Sequence, residues 1–172
     1  MYFSQGRIRI HNMDDWSGYR RLSIGWMNDS PAYIHPRILF GPGIFLDREF
    51  VETHGITHVV NCAAVEDSPA WFRKLYPRRY VTLGAPDDLQ ANILEWYPAF
   101  ECAIQSFLKD PACVNVYIHC QCGINRSGFL AVVFACKKLG YPYADVVKSV
   151  LSQRPCALTN PSYKRQVKEA CI

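Results

Sequence analysis

From Pro31 onward the chain alternates short apolar runs with longer stretches whose apolar residues recur at helical spacing. Ile38-Leu39-Phe40 followed by Gly41-Pro42-Gly43 predicts a short strand and a turn. Residues 46–54 predict a helix, with Gly55 where a C-terminal cap belongs. The β-branched run 58–62 predicts a buried strand and 80–83 another. Between 93 and 108, Ile93, Tyr97, Phe100, Ile104 and Phe107 share one helix face, and Pro98 predicts a kink or two shorter helices. A central strand is expected at 114–118, and an apolar helix at 127–139 ended by Gly140 and Pro142. Helices follow at 144–153 and beyond Asn160, which serves as cap with Pro161 at the first helical position. This order predicts a single α/β domain over 31–172, with a central, mostly parallel or mixed sheet flanked by helices. The first thirty residues break the pattern. They are polar, with Asp14-Asp15, Arg20-Arg21 and scattered Trp16, Tyr19, Trp26 and Met27, and are expected to form an N-terminal extension, 1–30.

Composition narrows the classes. The 172 residues are 49% hydrophobic, 13% aromatic and 20% charged, which suits a packed globule rather than a disordered chain. The longest apolar run, 129–136, stops at Lys137-Lys138, too short for a bilayer. The opening residues lack the layout of a signal peptide, so a cytosolic or nuclear location is expected. A net charge of +4 favours acidic or phosphorylated partners without demanding nucleic acid. The eight cysteines are expected as free thiols, and the sequon Asn28-Asp29-Ser30 as chance.

The chemistry concentrates in Val116-Tyr117-Ile118-His119-Cys120-Gln121-Cys122-Gly123-Ile124-Asn125-Arg126-Ser127-Gly128. A strand runs into a tight loop and directly into a helix. Amides of a compact loop and a helix N-terminus make a nest for an anion. Arg126 at the helix start can fork two hydrogen bonds onto phosphate oxygens. The same positive field favours thiolate over thiol at Cys120, which makes that sulfur a nucleophile for phosphoryl transfer. The loop residues Gln121, Cys122, Gly123, Ile124 and Asn125, with Arg126, are the expected phosphate-binding set.

Cysteine, five residues, then Arg126-Ser127 resembles the signature of the cysteine-dependent phosphatases. Ile34 to Gly41, Gly55 to Asn61 and Asn160 to Gln166 resemble, in that order, opening and closing elements of dual-specificity phosphatases. Gly123-Ile124-Asn125-Arg126-Ser127-Gly128 and Asn160-Pro161-Ser162-Tyr163-Lys164-Arg165-Gln166 share the flavour of small stand-alone members, including poxvirus-type ones. The resemblance implies that His119 braces the loop and that Ser127 donates its hydroxyl to the sulfur. It also implies a general acid on a loop between a strand and a helix upstream of the cysteine. Counting back from Asn92-Ile93 selects Asp87, with Asp88 second. Either carboxylate could instead simply favour the next helix N-terminus.

Other features are weighed more narrowly. Cys122 reads as a space-filling thiol, because a ring closed with Cys120 would be strained; Cys62 is the better candidate for a resolving thiol. His119, Cys120 and Cys122 lack a second ligand pair, so no metal and no cofactor is expected. Trp71, Phe72, Arg73, Lys74, Arg78 and Arg79 read as a connection that either flanks the cleft or is a solvated loop. The region around Arg20-Arg21 either packs on the domain or exchanges with a second subunit as a homodimer. The reading reached is a metal-independent dual-specificity protein phosphatase acting on phosphorylated proteins through a cysteinyl-phosphate. The resemblance implies a pocket shallow enough for phosphoserine and phosphothreonine as well as phosphotyrosine. The alternatives are an RNA 5′-triphosphatase on the same fold and a non-catalytic phosphoprotein-binding module. Gln121-Cys122, Ser127 and the aspartate in register count against RNA, and intact Cys120, Arg126 and Asp87 against the module.

Overall fold

A computed structural model describes residues 30–172. The extension expected at 1–30, and the homodimer contact read from it, therefore fall almost wholly outside the described residues. Five strands are present: β1 (Ala32–His35), β2 (Ile38–Pro42), β3 (Ile56–Asn61), β4 (Tyr80–Thr82) and β5 (Asn115–Cys120). Six α-helices accompany them: α1 (Arg48–Thr53), α2 (Ala70–Leu75), α3 (Tyr97–Lys109), α4 (Arg126–Lys137), α5 (Tyr143–Gln153) and α6 (Pro161–Cys171). The strands form one mixed sheet in the order β1-β2-β5-β3-β4, antiparallel between β1 and β2 and parallel elsewhere.

Period-2 side-chain alternation divides the sheet between two cores. Ile38, Phe40, Val60, Val116 and Ile118 point to the larger one, which also contains the buried faces of α3, α4 and α6. Leu39, Val59 and Tyr117 point to the smaller one, with Phe45, Leu46, Phe50 and Phe72. Burial on both faces explains why the middle of β5, Val116-Tyr117-Ile118, has no polar side. Helix α4 begins at Arg126 and is buried continuously through Ala135, so it crosses the middle of the molecule and fixes the loop that precedes it.

Most predicted elements lie where the pattern put them, and two differ. Of the kink or two helices expected around Pro98, two helical pieces are found. A 3₁₀ turn at Ile93–Trp96 leads into α3, where Pro98 occupies the first turn and no internal amide is lost. The strand at 38–40 continues through Pro42, because Gly41 and Pro42 pair with His119 and Cys120. The stretch 71–79 is not an irregular loop, although residues 74–78 are exposed. It contains α2 and a 3₁₀ turn, with Phe72 buried in the smaller core and Trp71 Nε1 donating to the Leu46 carbonyl at 3.1 Å. Trp71 and Phe72 are held by packing, whereas Tyr76 stays exposed with Arg79 over its ring, 5.7 Å from the centroid.

Candidate active site

The parallel strands β2, β5 and β3 end together, with Gly41 and Asn61 both paired to His119. Open α/β sheets bind ligands beyond such carboxyl ends. Here β5 delivers Cys120, and the segment 121–125 turns the chain straight into α4. The turn is tight: Gly123 has φ +62°, and a Cβ there would collide with the backbone of Gly41 and Pro42. Only glycine meets both conditions.

Cys120 is 2% exposed, and Ser127 Oγ donates to its sulfur at 3.3 Å. Arg126 is also buried. Its Nη1 donates to the Ala85 carbonyl at 3.2 Å, whereas its Nε is buried with no hydrogen-bond partner. That Nε lies 3.9 Å from Asp87 Oδ2. An unpartnered buried guanidinium nitrogen costs free energy unless a ligand oxygen satisfies it. Asp88 is engaged differently: its Oδ1 accepts from the Gln90 amide at 2.8 Å, a local turn contact. The geometry thus brings Asp87, Arg126, Ser127 and Cys120 together and leaves the Asp88 carboxylate in its own turn.

His119 has no exposed surface, and burial drives its pKa down to about 4, so the ring is neutral near neutral pH. Its Nδ1 donates to the Cys120 carbonyl at 3.2 Å, which leaves Nε2 to accept from Ser68 Oγ at 3.1 Å. The ring therefore bonds to the Cys120 backbone rather than to its sulfur. A Cβ on Gly43 would strike both the ring and the Asp67 carbonyl, so the 3₁₀ turn after β2, the 65–68 turn and β5 close around this imidazole.

The loop residues expected to bind phosphate divide in two. Gln121, Cys122, Gly123 and Ile124 form the loop itself. Asn125, by contrast, turns its side chain away: Oδ1 accepts from the amides of Thr159 and Asn160, both at 2.9 Å. Burial pushes the Cys122 thiol up to about 11, and Cys62, fully buried, is pushed up as well. Both stay protonated near neutral pH, which weakens either as a resolving nucleophile.

Two braces escaped sequence reasoning. Arg154 is completely buried, and its guanidinium donates to the carbonyls of Gly123 (3.2 Å), Cys122 (3.4 Å) and Ser30 (2.9 Å). Ser68 is the partner of His119 described above. Both act over long sequence separations. Arg154 carried one usable signal, an arginine between a helix end and Pro155 where a solvent-facing cap would be ordinary.

A buried cysteine at a strand end, a loop closed by arginine at a helix start and a nearby carboxylate define the class of cysteine-dependent phosphatases. Within that class, the model of the dual specificity phosphatase catalytic domain matches residues 44–171, and the chain belongs to that family. It is 30% identical over 133 residues to MAP kinase phosphatase with leucine-rich repeats protein 3 of Dictyostelium discoideum, covering 73% of this chain and 15% of that protein. Over 119 residues it is 30% identical to serine/threonine/tyrosine-interacting protein A of Xenopus laevis, covering 67% of this chain and 51% of the relative. Dual specificity protein phosphatase 1B of Arabidopsis thaliana is 28% identical over 123 residues, 72% of this chain and 70% of that one. The chain thus spans between 15% and 51% of the length of the Dictyostelium and Xenopus relatives it matches. The crystal structure of human DUSP28 shares the fold with a TM-score of 0.69 at 18% identity, over 84% of this chain and 94% of that one. These relatives lend no support to a poxvirus-type resemblance. Among the described residues, no helix is long and apolar enough to cross a membrane.

Proposed function

We propose that this domain is a dual-specificity protein phosphatase that hydrolyses phosphomonoesters on tyrosine and on serine or threonine, with Cys120 as nucleophile. The observation that carries the reading is the Arg126 Nε, buried, unpartnered and 3.9 Å from Asp87 Oδ2, on the residue that closes the Cys120 loop. A phosphate oxygen is the ligand that this guanidinium suits.

In the first step the Cys120 thiolate attacks phosphorus as the bond to the substrate oxygen breaks. Asp87 gives its proton to that oxygen, a contribution of about 10²–10⁴-fold for general acids. Arg126 and the loop amides hold the other phosphate oxygens and their charge, preorganised by Arg154, Asn125 and His119. In the second step the Asp87 carboxylate takes a proton from water, the water oxygen attacks phosphorus, and the P–S bond breaks. Ser127 stabilises the departing sulfur. Phosphate and the free thiolate remain.

The test offers the purified protein a phosphotyrosine peptide, a phosphothreonine peptide and triphosphate-ended RNA without added metal, with Cys120→Ser as control. Release from both peptides by wild type alone supports the reading. Release from RNA alone, or peptide binding without release, overturns it. Asp87→Ala should slow alkyl phosphate esters far more than activated aryl esters; the same pattern in Asp88→Ala instead would reassign the acid.

A further inference from the structure

Helix α6 carries two polar side chains that the chemistry above leaves unused, and both reach the segment that bears Asp87. Tyr163 is fully buried, its ring edge-on to Phe129 with centroids 5.9 Å apart. Its hydroxyl donates to the Pro86 carbonyl at 2.5 Å and accepts from the Asp88 amide at 3.3 Å. One phenol thus grips the backbone immediately before and immediately after Asp87. Three residues along α6, Gln166 holds the downstream end: Oε1 accepts from the Ile93 amide at 2.9 Å and Nε2 donates to the Ala91 carbonyl at 3.0 Å. Upstream, the Gly84 and Ala85 amides bond to the carbonyls of Ala63 and Cys62. Between these anchors residues 86–90 are exposed, so little packing holds them.

Packing alone does not require a phenol here, since phenylalanine would fill the same space against Phe129. Burying a hydroxyl costs free energy unless it is hydrogen-bonded, and both of these bonds go to the peptides flanking one carboxylate. A proton donor displaced by about 1 Å can lose on the order of 10²-fold in rate. We infer that Tyr163 is a positioning residue for the general acid, fixing Asp87 toward the Cys120 loop, with Gln166 anchoring the far end of the same segment. The inference rests on the reading of Asp87 as that acid.

The experiment is a leaving-group series of aryl and alkyl phosphates measured on wild type, Tyr163→Phe, Asp87→Ala and the double variant. Tyr163→Phe should lower kcat/KM, which reports cleavage of the substrate ester and not hydrolysis of the shared intermediate, roughly tenfold for the poorest leaving groups and little for nitrophenyl phosphate. In the Asp87→Ala background it should have no further effect, and iodoacetate should alkylate Cys120 at the wild-type rate. Equal slowing of every substrate, or an effect that persists without Asp87, would overturn the inference while leaving Asp87 as the acid. Absence of leaving-group dependence in Asp87→Ala itself would remove the acid reading and this inference with it. Should Tyr163→Phe fail to fold, Gln166→Met goes through the same series, with selective slowing of the poorest leaving groups expected and uniform slowing again overturning the inference.

Discussion

Ser127→Ala should separate the two chemical steps. The hydroxyl lies 3.3 Å from the Cys120 sulfur, and Ser127 is fully buried, so water has little access to replace the lost donor. While sulfur is bonded to phosphorus it carries little charge, and the hydrogen bond is weak. Charge returns to sulfur as the P–S bond breaks, and a hydrogen bond to a charged group is worth about 1.5–3 kcal/mol. Its loss should slow hydrolysis of the intermediate by roughly 10–150-fold. Attack on substrate should change by no more than about threefold, because Arg126 and the loop amides still meet the phosphate. The Ser127 hydroxyl has no other hydrogen bond in the described structure, so the helix should stay intact. Stopped-flow release of nitrophenolate from nitrophenyl phosphate reads both steps. The variant should give a burst of one equivalent and then slow turnover. Slow turnover with no burst would place the hydroxyl in the attack step, and unchanged turnover would refute the argument outright.

Stability should depend on pH through His119. Its folded pKa of about 4 lies below the unfolded 6.5, so between those values the unfolded chain binds the extra proton. This contribution is fully present above 6.5 and is lost as pH falls toward 4, to the extent of roughly 3 kcal/mol. Urea unfolding at several pH values should show that loss reduced in His119→Gln; identical slopes in both proteins would contradict it. Arg154→Met should strand three carbonyls that it now satisfies. A stability loss of about 3 kcal/mol or more is expected by chemical denaturation, together with a smaller phosphate-induced rise in Tm. A variant as stable and as phosphate-responsive as wild type would show that the loop needs no such brace.

The elements around Cys120 were legible because they are contiguous. Cys120, the loop and Arg126 sit within one strand-loop-helix unit, and burial on both faces leaves Val116-Tyr117-Ile118 without a polar side. Asp87 was selected over Asp88 only through resemblance, since nothing in Asp87-Asp88 by itself distinguishes the two carboxylates; in space they differ, Asp88 accepting from the Gln90 amide and Asp87 lying 3.9 Å from Arg126 Nε. The braces were illegible for a different reason. Ser68 meets His119 from 51 residues away, and Arg154 meets Gly123 from 31. Such pairs have no periodicity to betray them. In the 71–79 stretch the charges signalled solvent and residues 74–78 are exposed, but the helical turns that Trp71 and Phe72 anchor were not legible.

The central claim is a covalent cysteinyl-phosphate at Cys120. The most direct measurement mixes Ser127→Ala with a phosphotyrosine peptide, denatures the protein within the burst phase and maps the added phosphoryl group by mass spectrometry. One phosphoryl group on the peptide containing Cys120, absent from Cys120→Ser, is the predicted result. Peptide turnover with the phosphoryl group on another residue, or undiminished turnover by Cys120→Ser, would contradict it.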